Sequence, residues 1–187
     1  MFLMSWQNRS SGFTLVEVLV ALVIFLVSAL GIAGLVTRTL QQETESYQRV
    51  QALILLQDMQ ERLGANRAAV SCYAGSDTLG TGFSGTFTCS AGTAGQQTIA
   101  VSDLQQWDNS LKGAAEKSGT TNVGALIGAR GCIRVVDASQ QIYRITIAWQ
   151  GVGETVISAN NCGENQYGKE TLRRTVSAQV RFGKLSS

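Results

Sequence analysis

Apolar residues crowd one end of this chain and then thin into a periodic stripe. From Val18 to Val36 the sequence reads VLVALVIFLVSALGIAGLV, nineteen residues without a charge. At 1.5 Å per residue this run covers about 28 Å, close to the roughly 30 Å hydrocarbon core of a bilayer. Such a run predicts a membrane helix or a secretory signal, not a buried core helix. A cleaved Sec-type signal has a basic start, a shorter apolar region and a small-residue cleavage site. Ala29-Leu30-Gly31 and Gly31-Ile32-Ala33 are thin candidates for such a site, so an anchor is expected. Beyond the run the pattern becomes amphipathic. Arg38–Leu63 contains no Gly or Pro, and apolar side chains recur at Leu40, Tyr47, Val50, Ile54, Leu56, Met59 and Leu63. Steps of three, four and seven mark one helical stripe. Gly64 is the expected stop, with Arg62 in the last turn. One helix over residues 14–63 would be roughly 75 Å long. Its first half is expected in an apolar environment, its second half against a globular head.

The head is expected over residues 65–187. Residues 71–98 are dense in Gly, Ser and Thr and read as a long loop or short irregular strands. Asp103 is a candidate cap for a helix over LQQWDNSLKGAAE, with Leu104, Trp107 and Leu111 on one face. CIRVVD (132–137) and IYRITIAWQ (142–150) alternate as strands, joined by the polar ASQQ as an antiparallel hairpin. LRRTVSAQVRF (172–182) alternates as a last strand; Leu172, Val176, Ala178, Val180 and Phe182 share one phase, with Arg174 the exception. The pattern predicts an α+β fold: a long N-terminal helix whose second half packs on a small antiparallel sheet.

Composition narrows the chemistry. The 187 residues include no histidine and no proline, and only 15% are charged. Without histidine, Ser-His-Asp or Cys-His nucleophiles, His-ligated zinc and His acid–base catalysis are excluded. The net charge of +2 gives no overall electrostatic pull toward nucleic acid. Arg173, Arg174, Arg181 and Lys184 form a basic cluster, but strand alternation splits it between two faces, and a solvated sheet face is the favoured reading. The acids Asp77, Asp103, Asp108 and Asp137 lack calcium-loop spacing, and the glycines near 80–85 lack the context of a phosphate loop. No catalytic residue, cofactor site or metal site is expected. Cys72, Cys89, Cys132 and Cys162 are an even set without a CxxC spacing, which favours disulfides. Of three possible connectivities, Cys72–Cys89 and Cys132–Cys162 are favoured because each closes a loop within one region. Each bond is worth roughly 3 kcal/mol through the unfolded chain.

One residue breaks the apolar pattern: Glu17. An acid at the edge of a membrane helix costs about 2–3 kcal/mol and is functional by default. Its setting, Ser11-Gly12-Phe13-Thr14-Leu15-Val16-Glu17 before the apolar run, resembles the class III signal of type IV pilins. The resemblance implies a leader over residues 1–12, cut by a prepilin peptidase between Gly12 and Phe13. Phe13 becomes the N-methylated terminus and Glu17 the retained acid of the fifth mature position. Arg9 supplies the positive charge of a cytoplasmic start. The implied divisions are leader 1–12, membrane or filament-core helix 13–36, amphipathic continuation 37–64 and disulfide-bonded head 65–187. In the pilin picture Glu17 of one subunit pairs with the Phe13 amine of its neighbour, favouring docking into a filament and setting its register. Major pilins commonly carry a helix-kinking proline near the middle of the apolar segment; here Gly34, near Gly31, takes that place, which excludes a fixed proline kink.

The segments IYRITIAWQG and LRRTVSAQVRF, with a cysteine-bearing loop between them, are similar to the minor pilins called type IV pilus modification protein PilV. That likeness implies a low-abundance, non-enzymatic subunit that primes pilus assembly in a tip complex. Implied partners are other minor pilins, the major pilin, the peptidase, the inner-membrane assembly platform and a tip adhesin; nucleic acid is not expected among them. The implied location is a single pass in the inner membrane with a periplasmic head, followed by the extracellular pilus. A minor pseudopilin of a type II secretion system and a DNA-binding pilin are the alternatives.

Overall fold

The computed structural model describes residues 12–75, 78–113, 117–118, 121–122, 124 and 126–183. Residues 1–11, Arg9 among them, and Asp77 and Lys184 lie outside the described residues. The chain divides into two compact units, Met1–Gln42 and Glu43–Ser187, and helix α1 (Leu15–Ala65) contributes to both. In the first unit α1 is a continuous helix, unbroken at Gly31 and Gly34, and every described side chain is exposed.

The second unit is the α+β head. It holds the last turns of α1, a short 3-10 segment Arg67–Cys72, strand β1 (Leu79–Gly80) and helix α2 (Ala94–Leu111). Strands β2 (Lys117–Ser118) and β3 (Thr121–Asn122) form a separate pair. The main sheet adds β4 (Ile127–Asp137), β5 (Ile142–Gln150) and β6 (Arg173–Arg181), all antiparallel in the order β1-β4-β5-β6.

The amphipathic part of α1 buries the expected Leu56, Met59 and Leu63 but leaves the other four expected positions exposed. Gln48, Ala52, Leu56, Met59 and Leu63 face the core, whereas Leu40, Tyr47, Val50 and Ile54 are exposed. A 3.6-residue period fits two stripes on one helix, and the head takes the one containing Ala52, whose small side chain permits close approach. Gly64 does not stop the helix, which runs to Ala65 before Asn66 N–H closes on Arg62 O at 3.1 Å.

Helix α2 also starts elsewhere than expected. Its cap is Thr93: the Thr93 hydroxyl accepts from Gln96 N–H, and Gln96 Oε1 accepts from Thr93 N–H. This Thr-x-x-Gln capping box satisfies two otherwise orphaned donors. Asp103 therefore sits inside the helix rather than at its start. The helix ends at Leu111, short of the expected 116, with Gly113 at φ +75 and residues 114–116 outside the described residues. Ala100, Leu104, Trp107 and Leu111 form its buried stripe.

The hairpin of β4 and β5 pairs Arg134 with Arg144 and Ile133 with Ile145. Asp137 turns the chain: its carboxylate accepts from the N–H groups of Ser139 and Gln140. Strand β4 begins five residues before the expected Cys132, with a register shift between Ile127 and Arg130. Trp107 is fully buried over β4, and its Nε1 donates to Leu55 O at 2.9 Å, tying α2 to α1. A Cβ on Gly131 would stand 2.3 Å from Trp107 Cη2 and 2.7 Å from Leu111 Cδ1. Gly131→Ala is therefore expected to destabilise the head by about 2 kcal/mol through overpacking. Urea unfolding of the full chain in detergent, followed by tryptophan fluorescence, reads this as a lower midpoint at unchanged slope.

Candidate functional site

The N-terminal unit places Phe13, 82% exposed, two residues before the helix begins. Thr14 is the cap: its hydroxyl accepts from Glu17 N–H at 3.3 Å, and its carbonyl takes the first helical bond from Val18 N–H at 3.2 Å. Glu17 is thus the acid of the first turn, where the partial positive charge of the helix N-terminus favours a carboxylate. The next charged residue is Arg38. The hydroxyl side chains from Ser28 to Thr39 are turned inward on the backbone. Ser28 donates to Ile24 O at 2.8 Å, Thr37 to Ala33 O at 3.1 Å and Thr39 to Leu35 O at 3.0 Å. The lateral surface is consequently almost wholly apolar, with a mean hydropathy of 2.9 over its most apolar eighteen residues and none of that window buried.

The head carries a different arrangement. Cys72 is joined to Cys89, and Cys132 to Cys162. The second bond lies on the face of the sheet away from α1, where Cys132, Ala148, Cys162 and Tyr167 form a small cluster under the loop 151–172. Tyr167 donates to Gly128 O at 3.0 Å and stacks against Arg130, 5.0 Å from ring centroid to guanidinium. Burial pushes the Tyr167 hydroxyl pKa above its usual range.

Two arginines of the expected basic cluster turn out to be internal fasteners. Arg173 is only 2% exposed. Its Nε donates to Glu170 at 2.6 Å, and its Nη atoms bond the carbonyls of Cys162 at 3.1 Å, Ser158 at 3.2 Å and Asn160. Arg174, the exception in the strand's apolar phase, meets Glu45 of α1 at 2.9 Å. It also binds the carbonyls of Gly153 at 2.7 Å and Thr171 at 3.1 Å. Of the cluster's described members, Arg181 alone is exposed. The solvated-face reading therefore fails for Arg173 and Arg174, because a loop folded over the sheet supplies them with oxygens from several chain positions.

The scattered acids are occupied too. Asp103 accepts from the Tyr73 hydroxyl at 2.5 Å and from Arg62 at 2.9 Å, joining α1, the 3-10 segment and α2. Burial, aided by the Asp103 carboxylate that accepts its proton, holds the Tyr73 hydroxyl well above the ordinary tyrosine range. Asp108 accepts from Gly80 N–H at 2.7 Å and Lys112 at 2.6 Å. Among the described residues no group of three or more His, Cys, Asp or Glu side chains is placed to hold a metal.

A capped, exposed apolar helix with one acid in its first turn, continuing into an α+β head, has the architecture of a type IV pilin. Residues 7–33 match the family model described as Prokaryotic N-terminal methylation motif, and residues 34–108 match the model described as Type IV pilin Tt1218. The chain belongs to the type IV pilin superfamily. It is a pilin structural subunit whose N-terminal motif and one long apolar helix among the described residues suit membrane anchoring followed by incorporation into a pilus. No curated protein and no solved structure matches the chain.

Sequence reasoning missed the fasteners because their partners are distant. The Glu45–Arg174 pair spans 129 positions, and only an acid on the head-facing half of the helix hinted at it. Two measurements test this arrangement. Arg173→Met strands several buried oxygens and should cost about 3 kcal/mol in urea unfolding, whereas a change under about 0.5 kcal/mol would restore the solvated-face reading. For Glu45, burial acts upward on the pKa, but Gly153 N–H and the Arg174 guanidinium outweigh it and hold the carboxyl below its usual range. A folded-state pKa below the unfolded one means that the contribution is complete at neutral pH and is lost as pH falls through the folded value. Glu45→Gln should therefore flatten the acid limb of the stability–pH curve while leaving its alkaline limb unchanged.

Proposed function

We propose that this pilin is a minor subunit, made with a leader over residues 1–12, that helps to prime type IV pilus assembly beside other minor pilins. The observation that carries the reading is the fully exposed apolar surface of residues 13–36 with Glu17 as its lone carboxylate. Such a surface is stable in lipid or against other copies of the same kind of helix, and nowhere in water. The minor role rests on the likeness of IYRITIAWQG and LRRTVSAQVRF to the PilV-type minor pilins.

The cap geometry suits the processing chemistry. A cut between Gly12 and Phe13 leaves Thr14 and its bond to Glu17 untouched. It creates an α-amine immediately before a helix N-terminus, where the helix dipole disfavours a cation. Methylation of that amine keeps it basic. In lipid the amine and the Glu17 carboxylate are each costly alone, and Glu17 of an adjacent subunit relieves both charges at once. The pairing drives the subunit from the bilayer into the filament, and the remaining apolar surface follows. In this reading the head stands in the periplasm until assembly, the peptidase and the inner-membrane assembly platform act on the N-terminal unit, and a tip adhesin joins the minor pilins. The subunit catalyses nothing.

The test compares mature chain in membranes with mature chain in sheared pili. Mass spectrometry of the pilus fraction should show a methylated Phe13 terminus; an assembled chain beginning elsewhere removes the processing scheme. Glu17→Ala and Glu17→Gln should both be cleaved and inserted, since the Gly12–Phe13 bond is intact. Both should be depleted in pili by about tenfold or more, the effect of losing at least 1.4 kcal/mol of pairing. Normal incorporation of either variant would sink the pairing mechanism.

A further inference from the structure

The two edges of the head sheet are unequal. On one side β1 is two residues long; on the other, β6 runs nine residues from Arg173 to Arg181 in unbroken register with β5. Proteins protect sheet edges with short strands, prolines, bulges or charges. Strand β6 has no proline, no bulge and no charge between Thr175 and Val180.

The ladder's phase can be read from its ends. Phe182 N–H donates to Gln141 O at 3.1 Å, and Gly151 N–H donates to Leu172 O at 2.8 Å. Both pairs extend the register of Ile142 with Arg181 and Gln150 with Arg173. In an antiparallel ladder alternate residues bond the same neighbour. The even-numbered residues of β6 therefore bond β5, and Thr175, Ser177 and Gln179 direct their N–H and C=O groups to the open side. Among the described residues none of these three backbones has another hydrogen-bond partner. Val176, Ala178 and Val180 are only partly covered, although they pack on the core. Beside Thr175, which Ser158 reaches at 2.7 Å, Val156 is 90% exposed and Ile157 is 58% exposed.

We propose that the open edge of β6 receives an extended strand from a different polypeptide of the assembled pilus, adding a fifth strand to the sheet. A row of donors and acceptors at strand spacing is complementary to another extended backbone and to little else. The partner segment is uncharged opposite Thr175–Val180, and its apolar side chains cover Val156, Ile157 and the half-covered residues of β6. A second copy of this chain is disfavoured: edge-to-edge self-pairing is two-fold and closes a dimer, whereas filament neighbours are related head to tail. The inference rests on the pilin reading for where the partner is met.

Amide-resolved hydrogen exchange on the full chain, in detergent and in sheared pili, tests it. Thr175, Ser177 and Gln179 should exchange at least about 100-fold more slowly in pili, while the even-numbered amides of β6 stay protected in both. A double variant, Ser177→Pro and Gln179→Pro, removes outward donors alone, because proline is tolerated where a strand's N–H faces solvent. It should keep the even-numbered protection yet fall about tenfold or more in pili. Equal exchange of the odd-numbered amides in both states, or wild-type incorporation of the double variant, overturns the proposal. Protection that rises with chain concentration in detergent also overturns it, in favour of self-pairing. Absence of the wild-type chain from pili would instead overturn the pilin reading and this inference with it, whereas rapid odd-numbered exchange in pili defeats this inference alone.

Discussion

The head is organised around the ring of Trp107. It belongs to α2, its indole nitrogen is fastened to a carbonyl of α1, and its edge lies against the backbone of β4 at Gly131. Three elements distant in sequence are thereby held at one separation. The apolar stripes of both helices, Ala52–Leu63 and Ala100–Leu111, meet the sheet at the depth that this ring permits. Interiors pack at crystal-like density, so a single methyl group at such a point is felt by every neighbour. Asp108, one residue further on, carries the same logic to β1 by capping Gly80, whose φ of +92 suits glycine alone.

Polar contacts do the corresponding work for the loop beside the sheet. The loop 151–172 has little regular structure of its own, so its carbonyls need donors from elsewhere. Arg173 and Arg174 provide them, the first reaching one acid and three backbone oxygens, the second one acid and two. Arginine suits this task because its five donors diverge in a fixed plane. Two adjacent residues on one strand point to opposite faces, so one clasps the loop over the sheet while the other fastens the strand to α1.

How far the chain could be read in advance follows from how local each determinant is. The apolar run, the Gly12–Glu17 motif and strand β5, observed at Ile142–Gln150 as the alternation had it, are written in neighbouring residues. Helix α2 starts ten residues before the expected Leu104, at a Thr93-Ala94-Gly95-Gln96 capping signature set in a stretch whose glycines and serines suggest a loop. The stripe on α1 was ambiguous for a deeper reason. Tyr47, Val50 and Ile54 repeat as well as Ala52, Leu56 and Met59 do, and periodicity cannot say which face meets the sheet and which stays outside. The arginines were the least legible of all, since charge within a strand suggests solvent until the loop that covers it is known.

The bond between Cys132 and Cys162 also has a mechanical side. Pilus subunits sit in a fibre, and a fibre transmits tension. The thirty positions separating the two cysteines would extend by about 100 Å if drawn out. Any pull applied between β4 and the chain after residue 162 is carried by the disulfide instead of by that stretch. The residues it encloses, β5 among them, cannot lengthen the chain along that line.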